Sequence, residues 1–143
     1  MNAPRDAVTD GDIAGCYDVM AELRPHIPRE QFLPLVRKMQ QDGFRLAFIR
    51  DSDKVVACAG YRFGTSLFCG RHLYVDDLVT AKSERSKGYG KALLGWLRAR
   101  AVEAGCDEFH LDSGVQRKRA HQFYLREGME LRSHHFSIRL RPR

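Results

Sequence analysis

No apolar run in this 143-residue chain approaches the roughly 18–20 residues that a membrane-crossing helix needs. Residues 1–11 are polar and lack the apolar centre of a signal peptide, so a cytoplasmic location is expected. Cysteine is scarce: it stands only at 16, 58, 69 and 106. None of the four forms a C-x-x-C pair, and no two are spaced as in a zinc site. Cys16 and Cys58 fall on apolar faces of expected elements, which favours buried thiols over disulfides. No His–Glu cluster suggests a metal, so none is expected. Repeats, low-complexity tracts and linkers are also absent. A single domain over residues 1–143 is the expectation, since the chain is long enough for a real core. Its 43% hydrophobic and 29% charged content is ordinary for a globular protein.

What is present is positive charge. The formal net charge is +6, which attracts anions: nucleic acid, a membrane surface or an anionic cofactor. Lysine and arginine are denser at 82–91 and 113–119, but no zinc-finger, basic-zipper or RNP pattern goes with them. Neither a nucleic-acid nor a membrane partner is expected. The denser run contains Arg85-Ser86-Lys87-Gly88-Tyr89-Gly90-Lys91, between a strand-like stretch (72–80) and a helix-like one that begins Ala92-Leu93-Leu94. Glycines allow close backbone approach, and the free N–H groups of a first helical turn point at an anion. A pyrophosphate or nucleotide-cofactor site is therefore expected at 85–91.

Hydrophobic periodicity supplies the frame. Thr9 can cap a first helix carrying Ile13, Cys16, Tyr17, Met20 and Leu23, ended by Pro25 and Pro28. A second helix runs through Phe32, Leu35, Val36 and Met39 to Gly43, with Pro34 near its start or bending it. Strands are expected at 45–50 and 54–63, joined by a turn at Asp51-Ser52-Asp53, and at 72–80 after a loop over 64–71. A helix with Leu93, Trp96, Leu97, Ala101 and Ala104 on one face ends at Gly105. A short strand at 109–111, a helix carrying Ala120, Phe123 and Tyr124, and a last strand over 129–140 complete the order α-α-β-β-β-α-β-α-β. That order describes an α+β protein with a mostly antiparallel central sheet flanked by helices. The strand–helix–strand unit over 72–112 is its one parallel segment.

A dinucleotide fingerprint needs G-x-G-x-x-G in a repeated βαβ setting, and a nucleotide P-loop needs G-x-x-x-x-G-K-[ST]; both are absent. What is present is R-x-x-G-x-G at 85–90 after a strand ending Leu78-Val79-Thr80. It is followed some 28 residues later by A-x-x-F-Y-x-x-x-G, from Ala120 through Phe123 and Tyr124 to Gly128. Taken together, over about residues 45–140, these motifs resemble the GNAT superfamily of acetyl-CoA-dependent N-acetyltransferases.

The resemblance implies a cleft for acetyl-CoA where the two parallel strands splay apart. The backbone of Leu78, Val79 and Thr80 would hold the pantetheine arm, and Arg85, Ser86, Lys87, Gly88, Tyr89 and Gly90 would wrap the pyrophosphate, with Lys91 beside it. Tyr124 would protonate the departing thiolate, since a phenol near pKa ~10 can supply a proton to a thiol near ~8.5. Asp76, with Asp77 as runner-up, would take the proton from an ammonium acceptor or orient it as a countercharge. On a regular strand Asp76, Leu78 and Thr80 share one face and Asp77 the other, unless a bulge intervenes. Relatives often carry asparagine where Arg117 stands, so Arg117 would reach the cofactor phosphate, bind an acidic substrate group or remain a solvated charge. The family's usual first strand is hard to see in residues 1–8. His134 and His135 adjoin and so point to opposite sides of a strand, which makes them poor joint ligands. Asp112-Ser113-Gly114 reads as a turn. The function implied is acetyl transfer to a primary amine, of a small molecule rather than a protein lysine or N-terminus, with a homodimer plausible. A non-catalytic acyl-CoA sensor is the rival from another class.

Overall fold

The computed structural model describes residues 3–142, which fall into two compact units that meet in sequence between Leu111 and Asp112. The first unit is a five-stranded sheet with helices on both faces. Its order along the chain is β1 (Arg5–Asp6), α1 (Asp10–Gly15), α2 (Tyr17–Leu23), α3 (Arg29–Gln41), β2 (Arg45–Asp51), β3 (Lys54–Ser66), β4 (Gly70–Thr80), α4 (Tyr89–Glu103) and β5 (Glu108–Leu111). The strands lie side by side as β1-β2-β3-β4-β5. Every pairing is antiparallel except β4 with β5, as expected for a strand–helix–strand unit.

Two apolar layers hold the sheet. On one face Ile13, Val19, Met20, Phe32 and Val36 from α1–α3 pack on Phe44, Leu46, Phe48, Cys58 and Val79. On the other, Leu93, Leu97 and Ala101 of α4 pack on Ala57, Ala59, Tyr61, Leu73 and Val75, with Trp96 and Leu78 at the margin. Strands buried on both faces read as continuous apolar runs, and Val55 to Tyr61 is one. Cys16 and Cys58 are buried free thiols, as their apolar positions suggested.

Several expectations are corrected. The first helix is two: Thr9 caps α1 through its side chain to the Asp12 N–H, and the helix stops at Gly15, with Cys16 as the joint to α2. Glycine at 11 and 15 weakens that stretch. Pro34 lies inside α3, in its second turn. The loop expected at 64–71 is almost all hairpin, since β3 and β4 pair as far as Ser66↔Gly70 and leave only residues 67–69 as the turn. A first strand does exist: Arg5 and Asp6 pair with Phe48 and Ala47. Two residues are too few to leave a periodicity.

In the second unit, α5 (Lys118–Arg126) begins after a turn in which the Arg117 N–H donates to the Gly114 carbonyl. The strand expected over 129–140 is absent among the described residues: no strand is formed, and Leu131, Phe136, Ile138 and Leu140 are 81–91% exposed. Alternation of Phe136, Ile138 and Leu140 gives one face to a strand but no partner, and an extended segment needs a paired neighbour for its N–H and C=O groups.

Candidate functional site

The glycine turn adopts a conformation suited to an anion. Ser86 (φ +68°) and Gly88 (φ +88°) both stand in the left-handed region, and Gly88 is the residue that precedes α4. No side chain caps that helix end, so the first N–H groups of a 15-residue helix point outward. A non-glycine at positive φ costs energy, and such strain clusters at ligand sites. Arg85, Ser86, Lys87, Gly88 and Lys91 are exposed. Lys87 pairs with Glu84, whose carboxyl is held below its usual range by that hydrogen bond and by the charges of Lys87 and Lys54. Tyr89 differs from its neighbours. Its ring is buried and its hydroxyl donates to Asp51 Oδ2 at 2.6 Å, which pushes the phenol up to about 12. Its side chain ties the start of α4 to the end of β2, and its backbone N–H is what it offers a ligand.

The strand that leads into this turn has one open edge. β3 pairs with β4 as far as Thr80, whereas β5 pairs with it only from His72 to Val75. Within the first unit, residues 76–80 therefore have a strand neighbour on one side alone among the described residues. Thr80 Oγ1 lies 3.3 Å from where a Cβ on Gly90 would sit, so a glycine there lets strand and helix approach closely.

A bulge at the edge's start decides where its side chains go. Gly60 pairs with Asp77 but Tyr61 with Val75, so Asp76 is the extra residue. Parity reverses across it. Leu73 and Val75 pack toward α4, yet Val79 packs toward α1–α3 and Leu78 toward α4. Asp76 and Asp77 thus both face the α1–α3 side, while Leu78 and Thr80 face the other. The regular-strand grouping of Asp76 with Leu78 and Thr80 is therefore corrected.

Both carboxylates are engaged by arginines. Arg24, just beyond α2, donates from Nε to Asp77 Oδ1 at 2.8 Å and from Nη2 to the Asp76 carbonyl at 3.1 Å. Arg62 on β3 donates from Nε to Asp76 Oδ2 at 2.9 Å. Asp77 is the more buried of the two, 14% exposed against 32%. Burial raises its pKa, and the Arg24 hydrogen bond and charge only partly offset this. Gly60 makes the room: a Cβ there would lie 2.6 Å from Asp77 Oδ2 and from the Phe44 ring. Nothing in the sequence singles out Arg24, Arg62 or Gly60. Arg24 and Asp77 are 53 residues apart, and nothing local marks the pair.

In the second unit, Tyr124 lies on α5 with its ring 5.4 Å from that of Phe123. It is half-buried, and its hydroxyl has no hydrogen-bond partner among the described residues. Burial raises the phenol, against the opposing charge of Arg117. Arg117 is exposed at the start of α5. His135 faces Asp112 at 3.4 Å on the surface.

Comparison with known proteins gives a consistent picture. The model of the acetyltransferase (GNAT) family matches residues 10–129. The uncharacterized N-acetyltransferase YhdJ of Bacillus subtilis is 38% identical over 112 residues, which covers 78% of this chain and 79% of that protein. The aminoalkylphosphonate N-acetyltransferase of Salmonella typhimurium is 37% identical over 54 residues, 38% of this chain and 35% of that protein. Among solved structures, the aminoglycoside N-acetyltransferase AAC(6')-Iy in complex with CoA superposes with a TM-score of 0.83 at 15% identity, covering 97% of this chain and 94% of that one. That last likeness is one of fold.

Proposed function

The chain belongs to the acetyltransferase (GNAT) family, whose members are acetyl-CoA-dependent N-acyltransferases, and from that premise we propose that it acetylates the primary amine of a small molecule. The observation that carries this reading is the open edge of β4 at 76–80, which runs directly into the uncapped, left-handed start of α4. An extended pantetheine arm can hydrogen-bond to such an edge as an added strand would. Arg85, Ser86, Lys87, Gly88, Gly90 and Lys91 surround the helix start with N–H groups and positive charge for the pyrophosphate, and the Tyr89 backbone joins them. Arg117 supplies a further cation for phosphate or for an acidic group on the acceptor.

Bound acetyl-CoA supplies an activated acyl carbon: the amine nitrogen bonds to it, the C–S bond breaks and the thiolate takes a proton. The chain's own groups handle the protons. Tyr124 is the acid, a phenol protonated at neutral pH by its own chemistry and raised further by burial. Asp77 is the base or countercharge for the ammonium, with Asp76 second. Its raised pKa brings a carboxylate closer to the working pH, where a base is most effective.

A relative named for aminoalkylphosphonates supports a small amine as acceptor. The test is a panel of amines, peptides and polyamines incubated with purified protein and acetyl-CoA, with free thiol as the readout. Thiol release with one class of small amine supports the proposal. Release only with peptides would make the protein a lysine or N-terminal acetyltransferase, and acetyl-CoA binding without turnover would make it a sensor.

A further inference from the structure

Away from the glycine turn, at the β3–β4 hairpin end of the first unit, three side chains with metal-binding chemistry converge, with His72 beside them. Cys69 closes the hairpin turn, His72 is the third residue of β4, and Glu108 and His110 lie on β5. Parallel pairing sets His72 beside Glu108 and Tyr74 beside His110. Since Leu73 and Val75 turn toward α4, these residues occupy the opposite face. One ligand atom each from Cys69, Glu108 and His110 all lie within 4.8 Å of one another. His72 Nδ1 lies 3.6 Å from Cys69 Sγ.

These spacings leave room for one ion. Zinc bonds of about 2.3 Å to sulfur and ~2.05 Å to imidazole, at the tetrahedral angle, put S and N about 3.6 Å apart, inside the 4.8 Å that bounds the Cys69, Glu108 and His110 ligand atoms. His110 Nε2 and Glu108 Oε1 are 2.8 Å apart; opening that contact to about 3.3 Å would let both reach the same ion. The chemistry is selective too. Thiolate with imidazole favours zinc and similar transition metals over magnesium or calcium. One thiolate and one carboxylate neutralise a divalent charge.

The surroundings hold the set in place. Tyr74 stacks on the His110 ring with centroids 6.1 Å apart and planes 10° from parallel. Ser66 Oγ lies 3.2 Å from Cys69 Sγ, where its hydroxyl can donate to a thiolate. All three residues are partly accessible, which leaves an entry path.

We propose that Cys69, Glu108 and His110 form a binding site for a divalent transition-metal ion, zinc being the best match, with water completing the coordination. The ion would clamp the 67–69 turn to β5. No spacing in the sequence shows this set, because Cys69 meets Glu108 and His110 only through the β4–β5 pairing.

The test is a cobalt(II) titration of chelator-treated full-length protein, followed by optical spectroscopy and by thermal melting with added zinc. One equivalent of cobalt should bind with a thiolate charge-transfer band and tetrahedral visible bands. Zinc should raise the melting temperature in a concentration-dependent way. Cys69→Ser should abolish the band. Glu108→Gln and His110→Gln should weaken binding at least about 100-fold, since even outer-shell changes at metal sites cost ~10–100-fold. Cys106→Ser and the double change His134→Gln/His135→Gln should leave it unchanged. Absence of a thiolate band, or equal binding by all variants, would overturn the proposal. If one ligand variant fails to fold, the other two decide.

Discussion

Arg24 and Asp77 form a half-buried ion pair, Nε to Oδ1 at 2.8 Å, that joins the end of α2 to the bulge in β4. The same arginine holds the Asp76 carbonyl. One cation thus fixes both the backbone of the bulge and the carboxylate that emerges from it. The pair also sets how readily Asp77 loses its proton, because burial raises its pKa and Arg24 opposes that rise.

Removing the cation should move the acid side of the activity profile. In the wild type, kcat/KM should rise with pH as Asp77 deprotonates, with a midpoint above the ordinary carboxylate value of ~3.9. In Arg24→Gln the opposing charge is gone, so the midpoint should move to higher pH; a pH–rate profile checks this. Stability has the matching sign. A carboxyl raised in the folded state favours folding most at pH below its unfolded value, and that contribution is lost as pH rises through the folded one. Asp77→Asn should flatten this part of the stability–pH curve, as measured by denaturant unfolding at several pH values.

Gly60→Ala should damage the same place by steric means. The new Cβ would meet Asp77 Oδ2 and Phe44 at 2.6 Å, and relief requires moving a half-buried carboxylate or a core ring. A loss of about 1–3 kcal/mol is expected from overpacking. Activity should also fall, with retained acetyl-CoA affinity. Urea unfolding and binding calorimetry separate the two effects.

Gly88→Ala meets no such clash, since nothing lies within 4 Å of the added Cβ. Its cost comes from φ alone, +88° in the native turn, and should be about 1–2 kcal/mol. If the turn holds pyrophosphate, acetyl-CoA affinity should drop more than that of a truncated pantetheine thioester, and a comparison of the two KM values shows it.

Tyr124→Phe should lower kcat by about 10²–10⁴-fold while acetyl-CoA binding persists. Burial raises the phenol, so the proton-donating form should survive throughout neutral pH. The alkaline fall in activity should therefore begin only above the ordinary tyrosine value of ~10. An unchanged turnover rate would remove Tyr124 from the acid role.

Glu84 draws Lys87 and Lys54 toward itself at the rim of the glycine turn. Glu84→Gln should free that charge and tighten acetyl-CoA binding by a few-fold, more at low salt than at high, as the affinity measured across a salt series would show.

What could be read from the chain alone was whatever depends on neighbours in sequence. The helical face through Leu93, Leu97 and Ala101 and the buried run from Val55 to Tyr61 are local periodicities, and they folded as written. The order of strands 45–80 and the glycine turn at 85–91 are equally local, since turn and helix-start chemistry lies within a few residues. The break at Cys16 is not legible in the apolar spacing, which continues across it from Ile13 to Leu23, while the weakness lies in two glycines. The tail from 129 shows the opposite failure: Phe136, Ile138 and Leu140 alternate like a strand, yet pairing, which alternation cannot provide, did not follow.

The sequence by itself determined most of the element types, the glycine turn, and the residues that could bear acid, base and anion-binding roles, because each rests on a residue's own chemistry or on contacts a few positions away. Only the tertiary structure decided which of those residues share a face. A single extra residue at Asp76 reverses the side-chain parity of β4. It turns Asp76 and Asp77 to the same side and sets both against arginines distant in sequence. Likewise, only the β4–β5 register brings Glu108 and His110 to Cys69. Strand pairing sets side-chain neighbours at the spacing of the sheet, and no reading along one strand contains the register of the next.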